Sequence, residues 1–427
     1  DMFRTWIIND DGYDRYTHEM RLQSSGDSAL EWTVGAFFDE TDWKSTPNGQ
    51  WQYHASDDRS RAIAEYLWGY YWGLGDPTQI GIDTYGDGTK NYNYNQITYN
   101  NKETAYFGEI GYTFDMANGQ QIELTAGIRN YDLKDDIHTV VSGIWIGPDP
   151  IEDITKDGED GNRYKFSASW MPNDNMTIFA VYSEGYRPGG NNGPNAPNDC
   201  LNDPNIGAYV DRYQSDQIDN HEIGIKGLAF KRRFQFSSAI YRIDWTGVQA
   251  SVYMPTCGFS YTANAASAVS EGVEFESTTL LTDTLQLQVN ASYTDSKMTS
   301  DVEALGATAG DSMTMVPEYN FYIALDKDVT MWNKEGTLRL DYAGYGEYKS
   351  HFNTKDEDIS PSYATLNLSG SVQVNDNARV ALYLNNVLNE EIITYKRSRY
   401  RSNWPLGDNY YYYGDEFSYS LRLDFDF

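Results

Sequence analysis

No stretch of the chain approaches the ~18 consecutive apolar residues that a membrane helix needs. That excludes helical spans and leaves strands untouched, because a strand wall dilutes its apolar residues with polar ones. Basic residues are scarce, with 32 Lys+Arg against 63 Asp+Glu in 427 residues, for a net charge of −31. A nucleic-acid partner is therefore excluded, since phosphates demand a basic surface. Five histidines (His18, His54, His138, His221 and His351) stand scattered, and two cysteines complete the soft ligands. No metal site and no cofactor are expected from so thin a set. Gly-x-Ser-x-Gly, His-Glu-x-x-His and phosphate-loop motifs are missing as well, so the chain does not read as an enzyme.

What is present is alternation. From Phe417 to Phe427 every second residue is apolar (Phe417, Tyr419, Leu421, Leu423, Phe425, Phe427), and polar residues, two of them aspartates, fill the gaps. A period of two belongs to a strand with one greasy and one wet face. Charged residues alternating with phenylalanines suit a wall between lipid and a watery lumen better than a dry core. The 36 tyrosines and 11 tryptophans fit the same setting, because both rings favour a boundary between apolar and wet surroundings.

Alternation and turn residues place about fifteen strands, near 13–23, 30–39, 104–114, 121–133, 164–170, 176–185, 217–226, 234–250, 265–278, 285–295, 318–326, 337–345, 362–374, 379–386 and 416–427. The segment 285–295 is the clearest. Connections alternate between short and long; two of the long ones run to about 102 and 162, and the connection 327–336 is a somewhat long example of the short kind. Loop length sorted by parity is a property of up-and-down outer-membrane barrels, not of sandwiches or propellers. The expected fold is thus all-β, a transmembrane antiparallel β-barrel. A short helix within 58–69 is the only helical expectation. The opening Asp1-Met2-Phe3-Arg4 is no signal peptide, so an exported chain is expected to have lost its leader.

Four segments carry a family resemblance. They are Tyr182-Ser183-Glu184-Gly185-Tyr186-Arg187-Pro188-Gly189-Gly190-Asn191, Ser270-Glu271-Gly272-Val273-Glu274-Phe275-Glu276, Leu384-Asn385-Asn386-Val387-Leu388-Asn389-Glu390, and the strand ending in Phe427. In that order they resemble the C-terminal two-thirds of the barrel of a TonB-dependent outer-membrane receptor, of the siderophore-receptor-like kind. The resemblance implies a twenty-two-stranded barrel of which residues 1–427 supply fifteen. The plug, the TonB-contacting segment and the first strands would then be missing, and the sheet would stay open. It further implies residence in the bacterial outer membrane, contact with its lipid and lipopolysaccharide, and coupling to the TonB complex through the missing N-terminal part. Uptake of a scarce ligand such as a ferric chelate would be the function. A passive porin or structural barrel, and a soluble all-β adhesive or carbohydrate-active protein, are the alternatives.

Candidate site residues fall in the long loops. Cys200 and Cys257 lie in loops on one expected external side, where an oxidising export route favours a disulfide. Lys396, Arg397, Arg399 and Arg401 form a basic island suited to an anionic chelate or to lipopolysaccharide phosphates; the plainer reading is local pairing with Asp408 and Asp415. Trp68 and Trp72, among Trp51, Tyr53, Tyr66, Tyr70 and Tyr71, would line a ligand mouth or simply pack their own loop. Arg187 is a candidate ligand contact. The acidic segment 157–161 has the composition of a calcium loop without its spacing, and reads as a turn.

Overall fold

The computed structural model describes residues 6–8, 11–26, 28–45, 50–54, 66, 89–91, 93–143, 147–192, 200–256, 260–352, 359–398 and 409–425. A single antiparallel sheet of fifteen strands dominates, each strand hydrogen-bonded to the next in chain order. The strands are β1 (Asp11–Gln23), β2 (Leu30–Ser45), β3 (Asn93–Asp115), β4 (Gln121–Gly143), β5 (Gly147–Asn173), β6 (Met176–Arg187), β7 (Asp216–Ala229) and β8 (Phe234–Tyr253). The rest are β9 (Ser260–Thr282), β10 (Leu285–Met298), β11 (Tyr319–Met331), β12 (Lys334–Tyr345), β13 (Tyr363–Asn375), β14 (Ala378–Asn385) and β15 (Ser418–Phe425). All fifteen expected strands are found. Among the described residues no pairing joins β15 back to β1, so the sheet is open.

One face of the sheet is apolar and exposed. A single row of directly opposed partners crosses ten consecutive strands: Leu30, Tyr112, Leu124, Ala168, Ala180, Ile223, Ile240, Val273, Tyr293 and Tyr319. Its eight larger members are between 41% and 58% exposed. An exposed apolar surface of this length marks an interaction face. The opposite face is charged. Glu109, Gly127, Lys165, Ser183 and Asn220 form its corresponding row, and Lys165 Nζ donates to Glu109 at 2.9 Å across the bare Gly127. Leu285, Leu287 and Val289 of β10 are only half-buried, not sealed in a dry centre.

Three expectations need correcting. Residues 134–143 and 147–162 are not a loop but the paired ends of β4 and β5, joined across 144–146. The segment 157–161 is therefore strand, and Leu133 and Gly158 are so close that a Cβ on the glycine would meet the leucine carbonyl oxygen at 2.3 Å. Residues 93–103 likewise extend β3 instead of ending a loop. In these segments charged residues such as Lys134, Asp135, Asp136, Asp153 and Lys156 interrupt the apolar alternation, although Ile137 stays buried, and the backbone ladder continues. The connection expected at 327–336 shrinks to the two residues Trp332 and Asn333, whose φ of 52° and 59° is the left-handed pair that closes tight hairpins. The helix expected within 58–69 lies, save for Tyr66, outside the described residues.

Candidate ligand-binding mouth

The apolar belt gives out toward the long-connection end of the strands, and a bonded polar assembly replaces it there. It starts where β5 and β6 part. Their ladder stops at Lys165 and Ser183, while β6 stays paired with β7 up to Arg187. Glu184 covers the gap: its carboxylate accepts the Tyr164 backbone N–H at 3.1 Å and the Tyr182 hydroxyl at 2.8 Å. Tyr186 stacks on Tyr131 of β4 with ring centres 4.1 Å apart and planes 11° from parallel. The Arg163 guanidinium lies 5.2 Å from the Tyr131 ring and 4.8 Å from that of Tyr186, and its Nη2 donates to the Tyr131 hydroxyl at 3.0 Å. Glu103 accepts from the Tyr186 hydroxyl at 3.2 Å and from Arg129. The segment 182–187 thus wedges two strands open and fills the wedge with aromatic rings and charge.

Arg187 ends β6 in a knot. Its Nε donates to Asp216 at 3.1 Å, its Nη2 to the Gln249 carbonyl at 3.2 Å, and its guanidinium sits 5.6 Å from the Trp245 ring. Asp216 is almost fully buried, and Gln249 returns bonds to the carbonyls of Arg187, Pro188 and Gln214. A bulge at Gly247, with φ of 63°, turns β8 so that Gln249 can reach. Half of the Arg187 side chain remains exposed.

Arg212 was not anticipated from the sequence. It leaves the ribbon formed by Gly190–Asn191 and Arg212–Tyr213 and enters the acidic ends of β4 and β5. Nη1 donates to Asp135 at 2.9 Å, Nε lies 3.2 Å from Asp157, and Glu159 is 4.0 Å away. Two of the three acids that resembled a calcium loop, Asp157 and Glu159, face this guanidinium, which is only 10% exposed. Beyond it, the turn over Ile206–Ala208 packs Cys200 against Val252, Met254 and Tyr261. Cys200 is disulfide-bonded; Cys257 lies outside the described residues. Asp203 anchors this layer by accepting backbone N–H bonds from Asn205 at 2.9 Å and Thr256 at 2.7 Å. Burial pushes its carboxyl up, but these bonds together hold it below the ordinary 3.8.

The described part of the basic island sits elsewhere. Lys396 and Arg397 belong to the ribbon of Ile393–Ser398 with Asn409–Tyr413, between β14 and β15 in the chain. Lys396 Nζ is 5.9 Å from the Tyr411 ring, and its N–H donates to Ser350 Oγ at 3.1 Å. The Arg397 side chain, Arg399, Arg401, Trp68 and Trp72 lie outside the described residues. No described contact brings Lys396 together with Arg187.

A family model described as TonB dependent receptor-like, beta-barrel, matches residues 3–387. A search of curated proteins returns no match. Among solved structures, the chain is similar to the ferric yersiniabactin uptake receptor FyuA of Yersinia pestis, with a TM-score of 0.71 at 16% identity. It is also similar to the copper transporter OprC (TM-score 0.61, 12% identity) and to the ferric-catecholate import receptor Fiu of E. coli K12 (TM-score 0.54, 13% identity). In each case 98% of this chain is covered, against 54%, 58% and 65% of the three structures respectively.

Proposed function

The chain belongs to the TonB-dependent receptor β-barrel family, and from that membership we propose that it forms the C-terminal part of an outer-membrane uptake receptor. Its apolar face lies against lipid and its charged face lines an aqueous lumen. The observation that carries this reading is the exposed apolar row unbroken across ten strands. The cargo is a metal chelate, a ferric siderophore or similar complex, in keeping with the names of the structural neighbours. It is taken at the long-loop end, where the exposed half of Arg187 and the basic island around Lys396, Arg397, Arg399 and Arg401 supply positive charge in an acidic chain. Trp68 and Trp72 offer flat contact surface, and a Cys200–Cys257 disulfide holds two loops of the mouth. A plug, the first strands and the TonB-contacting segment come from sequence upstream.

The test is uptake of iron-55 chelates by cells that express the full-length receptor. Energised uptake stops when TonB is deleted or the proton gradient is collapsed. Uptake that continues under both conditions identifies a passive pore and ends the proposal. Arg187→Ala combined with Lys396→Ala should weaken chelate binding by about tenfold or more, as expected for lost charge-assisted contacts.

A further inference from the structure

The apolar face is not uniform. Between β11 and β14 two adjacent rows of partners run Leu325, Leu340, Leu368, Leu384 and Lys327, Leu338, Gly370, Leu382. At Gly370 the second row has no side chain, and a Cβ there would sit 3.0 Å from Leu338 Cδ2. The result is a groove of about 710 Å³ walled by leucines, with Lys327 and Trp332 among its lining residues. Trp332, in the two-residue hairpin turn, is 85% exposed. Lys327 Nζ donates to Thr284 Oγ1 at 2.6 Å, and among the described residues no carboxylate pairs with it.

These features make a site with two chemistries. The dent at Gly370 accepts a hydrocarbon chain, while Lys327 keeps donors free for an anion beside that chain. An indole at this level fits the boundary between hydrocarbon and headgroups, and a lysine stem lies readily along apolar surface with its ammonium lifted to that boundary. A smooth leucine belt would hold any lipid equally and none for long. We propose that this groove is a binding site for one glycerophospholipid, its acyl chain lying over Gly370 and its phosphate held by Lys327. The occupant is a phospholipid of the leaflet at the short-turn end of the strands. The site rests on the membrane placement proposed above and adds a residue-specific lipid to it.

The experiment is native mass spectrometry of the full-length receptor purified from outer membranes, with phosphatidylglycerol or the diacylglycerol of the same chains added. Wild-type protein should retain one phosphatidylglycerol under activation that strips diacylglycerol. Lys327→Gln should lower phosphatidylglycerol retention about tenfold, the worth of one charge-assisted contact. Leu382→Trp should also lower it by filling the groove, and Lys327→Gln, which leaves the packing untouched, serves if that variant fails to assemble. Equal retention of both lipids, or retention unchanged in Lys327→Gln, overturns the site. Those results in a folded barrel recovered from membranes leave the membrane placement standing, whereas recovery of wild-type receptor in the soluble fraction removes both.

Discussion

Tyr241 of β8 lies across Gly272 of β9, its direct partner in the ladder, and shares a hydrogen bond of 2.9 Å with Thr294 on β10. A Cβ on Gly272 would fall 2.5 Å from both the Tyr241 hydroxyl oxygen and the Tyr293 carbonyl oxygen. Phe107 over Gly35, Phe179 over Gly224 and Phe321 over Gly344 repeat the arrangement, each again a cross-strand pair. Rings laid over glycines fill the space that the glycine leaves and pin the register of the two strands. Gly272→Ala should therefore destabilise the sheet by about 1–3 kcal/mol, the usual cost of overpacking. Urea titration of the folded protein measures it, and an unchanged midpoint would show that the ring does not fix this pairing.

Arg212 carries the largest electrostatic expectation. Removing it leaves Asp135, Asp157 and Glu159 gathered without their cation at the ends of β4 and β5. Loss of one partner from a mostly buried pair costs about 3–5 kcal/mol. Since the acids keep some access to water here, about 2 kcal/mol is the expectation for Arg212→Gln. The effect should be local. Amide exchange should rise at 132–141 and 152–161 and stay unchanged at β10 to β14; uniform loss of protection across the sheet would contradict that division.

Asp203 sets a pH dependence. Its carboxyl is held below 3.8, so its stabilisation is fully present above that value and is lost as pH falls through the lower folded-state value. At neutral pH Asp203→Asn should loosen the turn at Ile206–Ala208 relative to wild type, because Asn places a donor where one N–H bond is accepted. Cleavage within 200–209 by pepsin across acidic pH is the measurement. The variant should be cut faster than wild type near pH 5, and the difference should vanish near the bottom of the range. A gap that widens on acidification would reverse the assigned sign.

Sequence alone located all fifteen strands because, within the belt, one apolar and one polar face write a period of two into them. Leu285, Leu287 and Val289 against Gln286, Gln288 and Asn290 need no partner to be read. Legibility ended where the apolar belt ends. In 134–143 and 147–162 charged residues fall on both faces and break the apolar alternation, so the strands read as loop even though Ile137 is buried. Arg187 was singled out because it sits in a recognisable segment, but its buried partner Asp216 comes from the next strand and Gln249 from beyond a bulge. Arg212 was missed for a related reason: its three acids are scattered over 135–159, and only the register of β4 against β5 gathers them. A faint signal was available, since Asp135 and Asp157 are an opposed pair whose like charges require a cation nearby.

The segment after β14 shows what a motif residue does physically. Asn386 is 3% exposed and holds φ at 47°, a conformation that asparagine tolerates better than most residues. Its N–H donates to Asn367 Oδ1 at 2.9 Å, its Nδ2 to the Glu390 carbonyl at 2.8 Å and the Asp415 carbonyl at 3.2 Å, and its Oδ1 accepts the Glu390 N–H at 2.9 Å. The Asn386 side chain thereby ties the exit of β14 to the approach to β15, while its backbone N–H holds the segment to β13. Asn386→Gly keeps the backbone conformation and loses only the side-chain bonds, for about 2 kcal/mol; Asn386→Ala loses them and adds left-handed strain of about 1 kcal/mol more. Chemical unfolding of the two variants beside wild type separates these contributions. If glycine restores wild-type stability, the conformation alone explains the asparagine, and the bonds to Glu390 and Asp415 contribute nothing.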